Sequence, residues 1–277
     1  MGLKLVQVIR RTSQVFAVRA LIAHGGGIRS CWLGLIMTLV GTVVVQGAES
    51  PQPLLQITSE SAAQVIRPTA KQPVRFTLNI PDEPVWSHLN IGQCTVREVT
   101  KQRNLPVRIT SPKQNTVDYT FEESGFGLVA VCYGPSDGVQ RSDTWRHVTQ
   151  CTKRIVRIVG EARKGESTPK DPGVTAKVGQ RFEIVPMISP AVLRPGDDLP
   201  IRVFVDYEKA ISASVVAYAP DGSKHETTTD SVGAANIPIK RPGLWLIRHE
   251  RVVDRVRIVA ELVFEVEGTT QAEENRP

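Results

Sequence analysis

In Val256–Val266, VRIVAELVFEV, the residues Val256, Ile258, Ala260, Leu262, Phe264 and Val266 share one parity and are all apolar. Arg255, Arg257, Glu261, Glu265 and Glu267 lie on the other parity and give it a polar character. Successive side chains of a strand point to opposite faces, so this alternation predicts a strand with one buried and one solvated face. The same period of two recurs upstream. VRFTLNI sets Val74, Phe76, Leu78 and Ile80 against Arg75, Thr77 and Asn79, and TVDYTFEES sets Val117, Tyr119 and Phe121 on one side. GLVAVCY, entered through Gly125 and Gly127, is apolar on both parities and predicts a strand covered on both faces. Helical periodicity is nearly absent. Strands of this kind, separated by Pro, Asn and Asp-Gly signals, predict an all-β chain of two Ig-like antiparallel β-sandwich domains.

In RPGLWLIRHE, Arg241 to Glu250, an apolar run ends in a cluster of polar side chains. Leu244, Trp245, Leu246 and Ile247 are apolar on both parities and predict a central strand. Trp245 is then a core residue, and Arg248, His249 and Glu250 mark where the strand emerges. Farther upstream, EARKGESTPKDPGVTAKVG, residues 161–179, is rich in Lys, Gly and Pro and predicts a linker or exposed loop. It divides a first domain, 48–160, from a second, 180–268, in which RFEIVPMI, LPIRVFVDY and ASVVAYA are strands and Asp221-Gly222 is a hairpin turn. Residues 269–277 have little to bury and read as a disordered tail.

The first 47 residues differ from the rest. Lys4, Arg10, Arg11, Arg19 and Arg29 precede a run without charge, Ser30 to Ala48, which ends in small residues at Val45 and Gly47. This is the pattern of a signal peptide cleaved after Gly47, leaving Ala48 first in the mature chain; an uncleaved signal anchor is the alternative. The formal charge of +6 comes from 34 basic against 28 acidic residues, and five of the basic ones lie in this segment. The remainder is nearly neutral, which argues against a nucleic-acid partner and leaves a membrane contact only through an uncleaved segment. A periplasmic or secreted location permits disulfides. Of Cys94, Cys132 and Cys151, the strand residue Cys132 is expected to pair with Cys94 or with Cys151.

No motif organises catalysis: His88, His147, His225 and His249 have no recognisable partner pattern, so no enzyme and no catalytic residue is expected. His225-Glu226 and His249-Glu250 offer metal donors, yet adjacent strand residues face opposite ways, so His225 and His249 are weak candidates that only a site between strands could unite. Trp86 and Trp145 are too far apart in sequence to suggest an aromatic sugar-binding row.

DTWRHVTQCTKRIVRIVGEA, GQRFEIVPMISPAVLRPGDDLPIRVFVDYEKAISASVVAY, TTTDSVGAANIPIKRPGLWLIRHE and AELVFEVEG fall in order between about Asp118 and Gly268. They resemble a family of exported bacterial proteins of unknown function with Ig-like, carboxypeptidase-regulatory-like sandwiches. Some members carry the label of periplasmic nickel or cobalt uptake components. The resemblance implies export, a β-sandwich and, for those members, nickel or cobalt as ligand. Their mature chains commonly open on a His-Asp/Glu-Phe-Trp-like element; here AESPQPLLQITSESAAQV has no histidine, and DYEKAI replaces the family's DGKPL-like turn. The expectation is an exported, non-catalytic binding or structural module with an unidentified protein or cell-envelope partner and no cofactor. The alternative is a metal-binding accessory of nickel or cobalt uptake.

Overall fold

The computed structural model describes residues 52–57, 66–79, 89–98, 104–106, 116–135, 147–160, 173–254 and 256–268. The signal segment 1–47, His88, Trp86, Trp145 and the tail 269–277 lie outside the described residues. Residues 48–277 belong to one compact unit.

The chain is all-β, in three sheets. A three-stranded sheet holds β1 (Leu55–Ile57), β2 (Pro73–Leu78) and β5 (Thr116–Thr120) in the order β1-β2-β5. The largest sheet has eight strands: β3 (Leu89–Glu98), β4 (Asn104–Pro106), β6 (Gly125–Pro135), β7 (His147–Ile158), β11 (Ser214–Tyr218), β12 (Lys224–Thr228), β14 (Gly243–Val253) and β15 (Val256–Val266). Its order is β12-β11-β14-β15-β7-β6-β3-β4. The third sheet is built on β9 (Asp198–Val205), with β8 (Phe182–Pro186), β10 (Glu208–Lys209) and β13 (Ala234–Pro238). Among the described residues no helix is long and apolar enough to cross a membrane.

Alternation along the strands separates two cores. Leu128, Ala130 and Ile155 join a cluster with Ile184, Ile201 and Val203, so one face of the eight-stranded sheet packs on the β8–β9–β13 layer. The intervening Val129, Val131 and Val156 join Leu55, Phe76 and Val117, so the other face packs on β1-β2-β5. β6 is therefore covered on both sides, as its unbroken apolar run requires. Gly127 allows this closeness, because a Cβ there would collide with the Phe121 ring. At the entry to β14, Gly243 has φ 121° and a Cβ would lie 2.8 Å from Pro220 Cγ, so both conformation and space call for glycine.

The expected ranges 48–160 and 180–268 share the eight-stranded sheet. β3, β4, β6 and β7 come from the first and β11, β12, β14 and β15 from the second, joined where β15 pairs with β7 in parallel, Val256 opposite His147 through Val263 opposite Arg154. A parallel pair needs a long crossover, and here the whole of β8 to β14 supplies it.

The segment read as a linker or exposed loop, 161–179, is described from residue 173, and there that reading needs correction. Val174 and Val178 are buried in the larger core. Arg97 on β3 donates to the Gly173 and Lys177 carbonyls, both at 3.2 Å. Gln180 Nε2 reaches the Val131 carbonyl at 3.1 Å and that of Thr152 at 2.9 Å. Composition suggested a solvated linker, but long polar side chains from the sheet satisfy the segment's backbone and hold it down.

Candidate functional site

Trp245 lies in the core, as the apolar run in RPGLWLIRHE predicts. It is 2% exposed, stands opposite Phe264 across the β14–β15 pair and donates from Nε1 to the Arg241 carbonyl at 3.0 Å. A tryptophan buried with its N–H satisfied is a packing residue. The strand does not emerge at Arg248, as read from the sequence. β14 runs on to Val253, and His249 is buried inside it. Pairing with β15 over its full length keeps the strand going, and it leaves the sheet only at Asp254, whose φ is 48°.

His249 donates from Nδ1–H to the Ser214 carbonyl oxygen, 2.7 Å away, while Nε2 has no partner. Burial pulls its pKa below the ordinary imidazole value, with the Ser214 contact opposing. His225 lies on β12 opposite Ala217, and His249 on β14 opposite Val215. Two strand spacings and a two-residue offset separate them by roughly 12 Å, too far to share an ion. Glu226 and Glu250 face the other side of the sheet from their histidines. The described residues contain no group of three or more His, Cys, Asp or Glu able to hold a metal. Among the described residues, His225 and His249 are therefore not brought together at one ion.

Of the two partners left open for Cys132, the structure selects Cys151. The two residues stand directly opposite on β6 and β7, with Cα atoms 4.1 Å apart, and form a disulfide. Cys94 pairs in register with Val131, the residue before Cys132, and its side chain joins the opposite core. Its thiol remains free, and burial pushes its pKa up to about 12.

Three charged groups that sequence reasoning passed over prove central to the interior. Lys153 on β7 and Glu183 on β8 form an ion pair with neither side chain exposed. Glu183 also accepts the Val178 N–H at 2.8 Å and the Gly179 N–H at 3.2 Å. Burial pulls the Lys153 pKa down, and Glu183 opposes the fall. Glu261 was placed on a solvated strand face, and that too is corrected: it is 1% exposed. Its Oε2 accepts from the Leu54 N–H at 3.0 Å and the Thr152 hydroxyl at 3.3 Å, and Arg248 lies 3.7 Å from Oε1. Burial raises its pKa, with Arg248 the largest opposing influence. Polar letters in strand patterns normally mark solvent. Here β1 and the 173–180 segment cover them, and no short-range signal announces that.

No curated protein matches the chain. Among solved structures, similarity extends to a Ca2+-stabilized adhesin that helps an Antarctic bacterium reach out and bind ice, at 10% identity over 79% of this chain and 49% of that one, with TM-score 0.24. It also extends to the fibronectin(III)-like modules of Clostridium thermocellum CbhA, at 12% identity over 77% and 94%, TM-score 0.23. A third is the N-terminal four Ig domains of Dscam1 isoform 4.4, at 10% identity over 80% and 47%, TM-score 0.20. The chain thus spans about half the length of the adhesin, and likenesses of this size carry no argument about activity. The family defined by the domain of unknown function DUF4198 matches residues 65–252, and the chain belongs to it.

Proposed function

We propose that this protein is exported and acts, without catalysis, as a binding or structural module in the periplasm or at the cell surface. The observation that carries this reading is where the interior polar groups are used. Arg97, Lys153, Gln180, Glu183 and Glu261 each connect one strand or segment to another. Polar side chains engaged in this way stiffen a scaffold rather than meet a substrate. The Cys132–Cys151 disulfide supports an oxidising location, because such bonds persist outside the reducing cytoplasm. In a rigid sandwich, recognition belongs to the turns and exposed edges.

The experiment is fractionation of producing cells followed by cross-linking and capture of partners from the envelope. Oxidised protein in the periplasmic or surface fraction with a captured envelope component supports the reading. Reduced protein confined to the cytoplasm overturns it. Titration with nickel and cobalt by calorimetry addresses the transport-accessory alternative. Tight binding abolished by H225A/H249A would favour that alternative; heat that is unchanged by the double substitution would remove these histidines from it.

A further inference from the structure

We propose that Lys153 on β7 and Glu183 on β8 condense with each other, with loss of one water, into an isopeptide bond that staples the eight-stranded sheet to the third sheet. Lys153 Nζ meets Glu183 Oε1 with neither side chain exposed, and this ion pair is the state before reaction. A lysine becomes a nucleophile when it is desolvated or set beside other cations. Both conditions hold. Burial pulls the Lys153 pKa down, Glu183 opposes the fall, and Arg97 and Lys177 add to it. The carboxyl is prepared as well. The Val178 N–H donates to Oε1 at 2.8 Å and the Gly179 N–H to Oε2 at 3.2 Å. Backbone donors fixed on a carboxyl draw electrons from its carbon and hold the oxyanion that attack creates. The Ala176 carbonyl, 3.4 Å from Nζ, accepts another of its protons and orients the amine.

The step closes without a co-reactant. One proton passes from Nζ to Oε1 along their hydrogen bond, leaving an amine and a carboxylic acid. The Nζ lone pair then bonds to Cδ of Glu183, and the C=O electrons move onto Oε2, where the Gly179 N–H holds them. A second proton passes from Nζ to Oε1, the Cδ–Oε1 bond breaks as Oε2 returns its electrons to Cδ, and Oε1 leaves as water. Three protons on the ammonium become one on the amide nitrogen and two on the water. In bulk water this condensation runs backwards. Groups held in contact instead react as though present at about 10⁵–10⁸ M, far above the competing solvent. The product also removes two dehydrated charges. Its N–H still faces the Ala176 carbonyl, and its oxygen has lone pairs for both backbone donors. The bond joins positions 30 residues apart, so the two layers stay tied even when their packing is lost.

The condensation needs no oxidant, so its test is independent of export. That test is mass spectrometry of the purified protein, reduced and denatured. The chain is expected to weigh one water less than its sequence requires, counted from its own N-terminal residue. Trypsin, which does not cut after an acylated lysine, is expected to release residues 147–154 joined to residues 182–202. K153R and E183A each remove one reactant and are expected to show their full sequence mass. A parent at full mass, with Lys153 and Glu183 recovered in separate linear peptides, overturns the proposal whether or not the variants fold. So does a loss of water that persists in K153R and E183A, because it then arises elsewhere.

Discussion

Lys153 and Glu183 meet without solvent on either side, and their attraction must offset the cost of dehydrating both. Removing one partner leaves the other charge buried, so Lys153→Ala is expected to destabilise by about 3–5 kcal/mol. The double change Lys153→Met with Glu183→Leu is expected to cost less than either single change, as measured by urea unfolding. Trp245→Ala removes a packed indole and is expected to cost about 3–5 kcal/mol. A near-neutral effect in the same assay would contradict its place in the core. Glu261 gives a pH signature. Its pKa is raised in the fold from the ordinary 4.5, so the stability it contributes is complete below that value and is lost as pH rises through the folded one. The unfolding midpoint of Glu261→Gln should therefore fall less on the alkaline side than that of the parent, when both are measured from pH 4 to pH 8 (about the range that spans a shifted carboxyl).

At the scale of elements, the β6–β7 pair is the centre of construction. It is tied by the disulfide, covered on both faces and joined to the second half through β15. The bridge closes a separation of 19 residues, and reducing it is expected to cost about 2–4 kcal/mol, read as a lower midpoint in dithiothreitol. Peptide mapping without reductant should recover Cys132 linked to Cys151, and Cys94 should react with iodoacetamide only after unfolding. Rapid labelling of Cys94 in the native protein would contradict its burial. Most of these strands were legible beforehand. Val74, Phe76 and Leu78 face the core as their alternation requires, and the Asp221-Gly222 turn joins β11 to β12. The 173–180 segment was not legible, because Lys, Gly and Pro spell a loop in either case. What settles its burial is Arg97 and Lys153 reaching it from strands far away in sequence, and its own Gln180 reaching back to the carbonyls of Val131 and Thr152.

For the molecule as a whole, export has a direct check. Mass spectrometry of protein recovered outside the cytoplasm is expected to find Ala48 as the first residue; an intact N-terminus in the membrane fraction would instead point to an anchor. The sequence by itself determined the strand class, the Trp245 core position and the buried character of β6, because alternation and unbroken apolar runs are local consequences of a two-residue period. Only the tertiary structure decided that the two expected sandwiches share one sheet, that Cys132 joins Cys151 rather than Cys94, and that His225 and His249 stay apart. It also decided that Glu183 and Glu261 are interior. Each of these depends on which strands become neighbours and what covers them, a matter of long-range packing that no window of sequence contains.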